Sequence, residues 1–450
     1  MPIPRQIFQK ERLEELEEER LAPYALKSRR SQRLLPTNEE GRRFDYRTEF
    51  QHDRDRIIHS LAFRRLKHKT QVYLPYDNDH HRTRLTHTIE VSQISRTIAR
   101  ALLLNEDLTE AIALGHDLGH TPFGQAGEEL LDKIMRGEET LGILDRDLLR
   151  KGGGFQHNYQ SLRVVDYLEQ RYPHNGINLT NDTREGILKH IPLDRHISYP
   201  QFNKKGFHLE FPPPFEAQVV ALADELAQQT HDLEDGMRAR EIALEKVEEL
   251  TIARRVIKRI APTYSSTTNR YLKQNMLIRG IIHLCVTDVI RQSARNLDAW
   301  AERHQINSTE DFYAKRELIR PHIIGFSPQG KRLFRELKYF VHKFIINSFT
   351  INRADGRARH FLSGLFRAYY QNPRQLDSYL LLRFKELEGV RYLRDIPTEE
   401  LNKEIKNRYQ HNLHFIRLIC DHIAGMSDWY ALREYERLYL PSAQLPGFQL

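Results

Sequence analysis

Apolar residues recur at helical spacing through most of the chain from residue 50 onward. The stripe that contains Val91, Ile94, Ile98 and Leu102 also includes His87, at steps of three and four residues. Such spacing places side chains on one face of a helix. Helices are predicted in this way at 86–104, 107–119, 124–136, 157–171, 182–190 and 214–231.

The second half of the chain continues the helical pattern. Residues 236–260 are long, charged and amphipathic, whereas the run from Pro262 to Thr268 predicts a linker. Further helices are predicted at 269–303, 309–317, 327–349, 356–371, 374–388 and 397–439. Strand patterns are scarce: a polar loop is expected at 73–83, and any pairing near 206–209 would be short. The predicted fold class is therefore all-α, built from packed helices with minimal short strands.

The chain divides by composition into three parts. Residues 1–49 form an arm with a charged helix at 9–21 and several arginines, which packs on a neighbour or on its own core; a free tail is the alternative. Residues 50–260 are predicted to form the core and residues 261–450 a C-terminal helical region, with the linker as the boundary.

Charge and cysteine usage narrow the class of protein. Lys and Arg number 69 against 61 Asp and Glu, a formal charge of +8, which favours polyanionic partners; a solvated basic surface is the alternative. Two cysteines argue against a disulfide scaffold and suit a reducing compartment. No run of apolar residues is long enough to span a membrane, and no secretory signal is seen. A cytoplasmic location is expected.

The first chemical signal is a histidine followed by an aspartate near a helix end. His116 follows Leu108 and Ile112 at steps of four, so it lies on the apolar face, with Asp117 beside it. A bare buried carboxylate is costly, and a divalent cation is a favourable partner for adjacent imidazole and carboxylate. A hydrogen-bonded pair near a helix end is the alternative.

Two further candidate ligands, again a histidine and an aspartate, occur on separate helices. His87 lies in the apolar stripe of an earlier helix, and Asp224 follows Val220 by one turn inside an apolar face. With His116 and Asp117 they supply two nitrogens and two oxygens. Such a set can hold one metal ion and leave positions open for water or a phosphate oxygen. Taken singly, each could be a hydrogen-bonded core residue.

The order of these residues resembles the HD-domain metal phosphohydrolases. Longer stretches resemble the deoxyguanosinetriphosphate triphosphohydrolase-like proteins from about Leu21 to about Leu438, at 53–60, 63–72, 82–87, 116–124, 155–158, 230–233 and 423–428. The resemblance implies an HD-domain core and a dNTP triphosphohydrolase (dGTPase-like) that releases the deoxynucleoside and intact triphosphate. It also implies a divalent metal, with Mn or Mg favoured over Fe, Ni or Zn, and a homo-oligomer, either hexamer or tetramer.

The resemblance further implies contacts with the substrate. They are Arg84, Lys189 and His190 for the triphosphate, Gln71 and Asp232 for the deoxyribose, and His157 and Asn158 as a substrate-facing pair. Solvated helix faces are the alternative for the cations, and a polar helix N-terminus is the alternative for the last pair.

The chain departs from the family pattern at Gln125, where relatives carry a histidine that can protonate the leaving oxygen, paired with a glutamate that matches Glu128. Glutamine cannot transfer a proton, and a positioned general acid is worth about 10²–10⁴-fold. Either His120 or His157 takes the role, or catalysis rests on metal and electrostatics, or the chain is slow or inactive. Gln228 is a second departure, from a tyrosine that packs on the sugar.

Three functions are consistent with these features. The first is a metal-dependent dNTP triphosphohydrolase. The second is a nucleotide- or nucleic-acid-binding regulatory protein with weakened turnover, in which a histidine restored at position 125 should raise activity. The third is an HD phosphohydrolase acting on nucleoside monophosphates or cyclic nucleotides. The expected partners are a dNTP substrate, a second dNTP as allosteric effector and single-stranded nucleic acid, with no membrane.

Overall fold

The fold is helical throughout the part of the chain that the structure describes. The structure is a computed structural model, which describes residues 9–36, 45–72, 82–191, 193 and 209–440. Helix accounts for 71% of the described residues and strand for 1%, and within the described ranges no sheet forms. Two isolated bridges, Arg33 with Thr180 and Thr70 with Thr83, are the strand-like pairings found there. The all-α prediction is confirmed.

Ten α-helices lie in the first part of the described chain. They are α1 (Lys10–Arg20), α2 (Glu49–Ile58), α3 (Leu61–Arg65), α4 (Arg84–Ala101), α5 (Glu106–Gly115), α6 (Gly124–Met135), α7 (Arg146–Leu149), α8 (His157–Arg163), α9 (Asn181–Lys189) and α10 (Phe215–Arg238). The predicted loop at 73–83 and the short strand near 206–209 lie largely outside the described residues.

Eleven more follow. They are α11 (Leu244–Glu248), α12 (Thr251–Arg259), α13 (Ala261–Ser266), α14 (Arg270–His304), α15 (Thr309–Ala314), α16 (Pro328–Val341), α17 (Phe349–Gln371), α18 (Ser378–Glu388), α19 (Thr398–Glu404), α20 (Leu413–Ala424) and α21 (Asp428–Tyr439). Although α14 has 35 residues, a search of the described helices finds none with an apolar stretch that could cross a bilayer.

The predicted linker at 262–268 was wrong. Its residues open a short helix, α13, in which Pro262 occupies the first turn. Proline is well tolerated there because the first turn has no hydrogen-bond partner for its missing N–H, and its φ is already helical. Tyr264 is buried and its hydroxyl donates to Glu248, which fastens α13 to α11. The amphipathic run at 236–260 is likewise divided, between the end of α10 and helices α11 and α12.

Three hydrophobic clusters hold the helices together. The first joins α4, α10, α14 and α16, so it draws on both sides of residue 261, and the division of the chain there stays a prediction. The second joins α6, α17 and α20, and the third surrounds α8 and α9. The segment 108–126 contributes to all three clusters in turn, through Ile112, Leu118 and Phe123.

The described part of the N-terminal arm lies against the chain's own core. Ala25 and Leu26 are fully buried in the first cluster. Arg33 donates to Glu49, to the Asp53 carboxylate and to the carbonyl of Asn178. Because Asp53 is fully buried and Arg33 is 7% exposed, this ion pair ties the arm to α2. Arg42 and Arg43 of the arm lie outside the described residues.

We expect Arg33→Ala to destabilise the fold by about 3–5 kcal/mol, because removal of one partner leaves the buried Asp53 charge without its cation. Urea unfolding followed by circular dichroism measures the change. Arg29→Ala is the control, since the Arg29 side chain is 52% exposed and its ion pair with Glu14 is long, at 3.5 Å. An equal loss of stability in both variants would show that the arm is not anchored through Arg33.

Candidate metal centre

Four side chains from three helices, the predicted metal ligands, lie close together. His87 lies in the first turn of α4, which Thr83 caps by accepting a hydrogen bond from the Thr86 N–H. His116 is the C-cap of α5, with Asp117 next to it, so that helix ends earlier than predicted. Asp224 lies in the middle of α10. Helices α4, α5 and α10 pack on one another, which brings the four together.

The ligand atoms lie within a few ångströms of one another. His87 Nε2 is 2.9 Å from Asp224 Oδ1. His116 Nε2 is 3.3 Å from Asp117 Oδ1 and 3.6 Å from Asp224 Oδ1. One atom each from His87, His116 and Asp117 falls in a group that could hold a metal ion. The sequence-predicted ligand set is thus gathered at one point.

The donor chemistry at His116 fits a cation. Its Nδ1 lies 2.6 Å from the Ala113 carbonyl, so Nδ1 carries the hydrogen and Nε2 presents a lone pair. That Nε2 is buried and, within the described ranges, has no hydrogen-bond partner, while two carboxylates face it. Burial opposes a charge on the ring, yet Asp117 and Asp224 raise the pKa of His116 to about 9, so Nε2 binds a proton near neutral pH wherever no other cation takes its lone pair. A site that draws positive charge so strongly suits a divalent ion.

A second group of ionisable residues adjoins the first through Asp117. His120 Nε2 lies 3.3 Å from Asp117 Oδ1, and the His120 ring stacks on that of His157 with centroids 3.8 Å apart. Glu128 receives hydrogen bonds from the His157 backbone N–H at 2.9 Å and from His157 Nδ1 at 2.9 Å. This arrangement holds the His157 ring by a carboxylate, in the manner of a general acid–base pair.

Electrostatics give the two histidines different charges. Burial, together with the cations Arg84 and His157, lowers the pKa of His120 to about 3. Burial also opposes charge on His157, but Glu128 outweighs it and raises the pKa of that ring. In turn, His157 lowers the pKa of Glu128 to about 2 in spite of its burial. Glu128 therefore favours the charged form of His157, whereas burial favours the neutral form of His120.

Gln125, the departure from the family pattern, is exposed in the first turn of α6. Glu128, three residues further along that helix, is already bound by His157. With glutamine at position 125, the Glu128 carboxylate therefore still has a histidine partner. That partner is His157 of α8 and not a residue of α6.

The predicted phosphate contacts differ in their surroundings. Arg84 donates from Nη1 to Asp117 Oδ2 at 2.7 Å, next to the ligand set. Lys189 is buried and donates to Glu185 at 2.6 Å and to the Phe211 carbonyl at 2.7 Å, so its charge is already matched. The His190 ring lies 5.2 Å from that of His116. Arg84 and His190 border the centre, whereas a phosphate contact by Lys189 stays a prediction.

The two predicted sugar contacts, Gln71 and Asp232, and the predicted substrate-facing residue Asn158 each carry a buried oxygen that lacks a partner within the described residues. Within the described residues, Gln71 Oε1, Asn158 Oδ1 and Asp232 Oδ2 accept no hydrogen bond. Asn158 is fixed by donating to the Leu188 carbonyl at 2.8 Å. Burial and the neighbouring Asp235 raise the pKa of Asp232 well above its usual value. Buried polar atoms are rarely left unpaired in a protein, so a ligand is the natural partner for such groups.

Sequence reasoning missed two buried residues that support the loop after α5. The Lys69 ammonium donates to the carbonyls of His120 and Ala424. Asp428 accepts from the Thr70 N–H at 2.7 Å and the Phe123 N–H at 2.9 Å. Both residues lie in stretches that resemble the family, but a lysine among arginines and an aspartate at a helix start resemble ordinary surface features.

Comparison with known proteins gives two matches to family models. Residues 84–229 match the HD domain, and residues 324–396 and 390–437 match the phosphohydrolase-associated domain. The first range contains all four predicted ligands and the His120, Glu128 and His157 group.

Proteins from several bacteria are similar over nearly the full chain. A deoxyguanosinetriphosphate triphosphohydrolase-like protein of Nitrosomonas europaea is 40% identical over 426 residues, which cover 93% of this chain and 98% of that protein. One of Geobacter sulfurreducens is 38% identical over 438 residues, 97% of this chain and 99% of that protein. One of Bartonella tribocorum is 40% identical over 404 residues, 87% and 90% of the two chains. These similarities confirm the resemblance of the sequence motifs.

We expect Gly119→Ala to disturb the centre, because a Cβ there would lie 2.2 Å from the Ser161 backbone nitrogen and 2.4 Å from the His157 carbonyl oxygen. Neither backbone atom can yield freely, so a destabilisation of about 1–3 kcal/mol is expected. Thermal unfolding measures it. Gly356→Ala is the matched control, since its Cβ would meet nothing within 4 Å. Equal melting temperatures would show that α8 does not depend on this close approach.

Proposed function

The chain belongs to the family of deoxyguanosinetriphosphate triphosphohydrolase-like proteins, and on that premise we propose that it hydrolyses deoxynucleoside triphosphates to the deoxynucleoside and triphosphate. Membership makes it a phosphohydrolase; the proposal concerns its substrate and products. It rests on the convergence of His87, the His116–Asp117 pair and Asp224 beside buried polar groups that lack partners within the described residues.

The four converging side chains would hold one divalent ion, Mn or Mg in preference to Fe, Ni or Zn. A bound ion of this kind neutralises charge on the α-phosphate and lowers the pKa of a water molecule. The buried lone pair of His116 Nε2 supports this assignment, because it faces two carboxylate oxygens.

Arg84 supplies fixed positive charge at the centre. Its guanidinium is 4% exposed and bound to Asp117 through Nη1, while its Nε has no partner among the described residues. Charged donors of this type bind phosphate oxygens strongly. Arg84 is therefore proposed to contact the triphosphate and hold the α-phosphorus next to the ligand set.

His157 is proposed as the general acid. Glu128 holds its Nδ1, and the opposite nitrogen, Nε2, points towards His190 Nε2 at 3.4 Å. Water bonds to the α-phosphorus as the bond from phosphorus to the 5′ oxygen breaks, and a proton from His157 passes to that oxygen. The water molecule gives up one proton to solvent, from which His157 is reprotonated. His120, stacked on His157, stays neutral and keeps the ring in place.

Gln71, Asn158 and Asp232 are proposed to bind the deoxyribose. Within the described residues their oxygens lack partners, and the 3′-hydroxyl can donate its single hydrogen to one of them. A site built to hydrogen-bond a substrate hydroxyl strongly rejects an analogue without that hydroxyl, because the buried polar groups of the protein are then left unpaired.

The assemblies and effectors that the family resemblance implies remain proposals: a hexamer or tetramer, a second dNTP as allosteric effector, and single-stranded nucleic acid. The last is supported by the net charge of +8 and by exposed aromatic rings beside cations. Phe349 is 73% exposed with the Arg353 guanidinium 5.0 Å from its ring, and the Arg433 guanidinium lies 3.6 Å from the Trp429 ring. In proteins that bind single-stranded nucleic acid, the bases stack on aromatic rings of this kind, and neighbouring cations attract the phosphate backbone.

We expect the four dNTPs, tested one at a time with Mn²⁺ or Mg²⁺, to include a substrate that yields tripolyphosphate and the deoxynucleoside. Chelation of the metal should abolish product formation, and metal analysis should find one ion per chain. Ion chromatography separates the phosphate products. Release of pyrophosphate or orthophosphate alone contradicts the proposal, and activity confined to nucleoside monophosphates would select the third function considered from the sequence.

We expect His157→Ala to lower kcat by about 10²–10⁴-fold, the usual worth of a positioned general acid. Binding of Mn²⁺ should be unchanged, because His157 is not among the proposed ligands. His360→Ala serves as the control, since His360 is an exposed histidine of α17. Unchanged turnover in His157→Ala would remove this residue from the mechanism.

Gln125→His tests the weakened-enzyme alternative in the same assay. Because His157 already forms a hydrogen bond with Glu128, we expect a change in kcat of less than about tenfold. A gain of about a hundredfold or more, with tight dNTP binding by the unaltered chain, would instead favour the regulatory, binding role.

A further inference from the structure

His87 makes a second contact on the side away from the ligand set. Its Nε2 faces Asp224, while its Nδ1 lies 3.2 Å from Nδ1 of His231. His231 is 1% exposed and belongs to α10, seven residues after Asp224. A histidine that binds metal through one ring nitrogen usually donates its other N–H to a fixed acceptor. His231 stands in the place of that acceptor.

The chain of contacts continues from His231 to a carboxylate. His231 Nε2 pairs with Glu90 of α4, one turn after His87. Both Glu90 oxygens lie 3.3 Å from Arg82 Nε, which holds the carboxylate in place although the Glu90 side chain is 41% exposed. Helices α4 and α10 are thus joined by a histidine and a carboxylate directly behind the proposed ligand His87.

Arg82 is anchored in turn on α10. It donates to Glu234 at 2.6 Å and to Asp235 at 2.8 Å, and its side chain is 14% exposed. An arginine held by carboxylates in this way has little freedom to leave Glu90. The orientation of Glu90 is therefore set by the fold.

The contact between the two Nδ1 atoms requires one donor and one acceptor. If His87 offers its Nε2 lone pair to a metal ion, its Nδ1 carries the hydrogen and donates to His231. His231 then carries its own hydrogen on Nε2, beside the Glu90 carboxylate with which it forms an ion-pair contact. One set of tautomers thus fits both contacts of His231, and it ends on a negative charge that makes His87 a stronger ligand.

We propose that Glu90 and His231 are positioning residues, which fix the tautomer and orientation of His87 and thereby set the affinity of the chain for its divalent ion. This inference rests on the metal site of the proposed function. A purely structural bridge between α4 and α10 would change the stability of the fold but leave metal affinity as it is.

The test is the Kd for Mn²⁺, measured by equilibrium dialysis with metal analysis and without substrate. Glu90→Gln keeps shape and hydrogen bonding but removes the charge, and we expect it to weaken Mn²⁺ binding by about 10–100-fold. His231→Gln breaks the link and should have a similar effect. The double variant should be about as weak as either single variant, since residues acting in one chain are not additive.

Glu106→Gln is the matched control. Glu106 is another glutamate bound by arginines next to α4, with Arg96 at 2.7 Å and Arg100 at 2.6 Å, but it does not contact His87. Its Kd for Mn²⁺ should equal that of the unaltered chain. Melting temperatures of the chelated proteins report stability separately.

The outcomes separate this inference from the proposed function. Mn²⁺ affinities within about twofold of the control in both single variants overturn the role of Glu90 and His231, and leave dNTP hydrolysis untouched. Additive losses in the double variant would also contradict a single chain of contacts. If the unaltered chain binds no divalent ion, the metal site and this inference fall together.

Discussion

The structure depends on keeping one buried carboxylate charged. Asp117 is 3% exposed, and burial alone would favour its neutral form. Arg84 binds it at 2.7 Å, and His116 and His120 each place a nitrogen 3.3 Å from it, which together lower its pKa well below the usual value. A buried charge is tolerated only with such partners. The helices that carry these partners must therefore meet at this point.

The hydrophobic clusters supply that meeting point. The segment 108–126 contributes apolar residues to all three clusters, so the loop that bears His116, Asp117 and His120 is held in place by packing against each of them. Polar contacts from the C-terminal region add to this support. Asp428 accepts from Phe123 of the loop and from Thr70 of the segment after α3, and Lys69 joins the His120 carbonyl of the loop to the Ala424 carbonyl of α20. The C-terminal helices thus belong to the support of the centre as much as the HD-domain helices do.

Periodicity predicted the helices well where an apolar stripe faces a core, as in α4, α6 and α10. Their ends were less predictable because caps decide them, as where α5 ends at Gly115. The linker predicted from Pro262 is part of a helix because the first turn accepts proline. The four predicted ligands followed from their residue types and the family resemblance together.

Partners across helices were beyond the reach of sequence. Glu90 and His231 each look like a polar residue on a helix surface, and only the packing of α4 on α10 joins them. The pairing of Lys189 with Glu185 could have been read directly, since the two are four residues apart on one helix.

Helix α10 carries Asp224, His231 and Asp232 on one rod of 24 residues. Asp224 and His231 are seven residues apart, close to two full turns, so both lie on the same face of α10 and reach His87 at its two ring nitrogens, Asp224 at Nε2 and His231 at Nδ1. A single residue inserted between them would rotate one against the other by about 100°. The spacing along this helix therefore cannot change by insertion or deletion without moving Asp224 out of register with His231 and Asp232, so sequence change along it is confined to substitution.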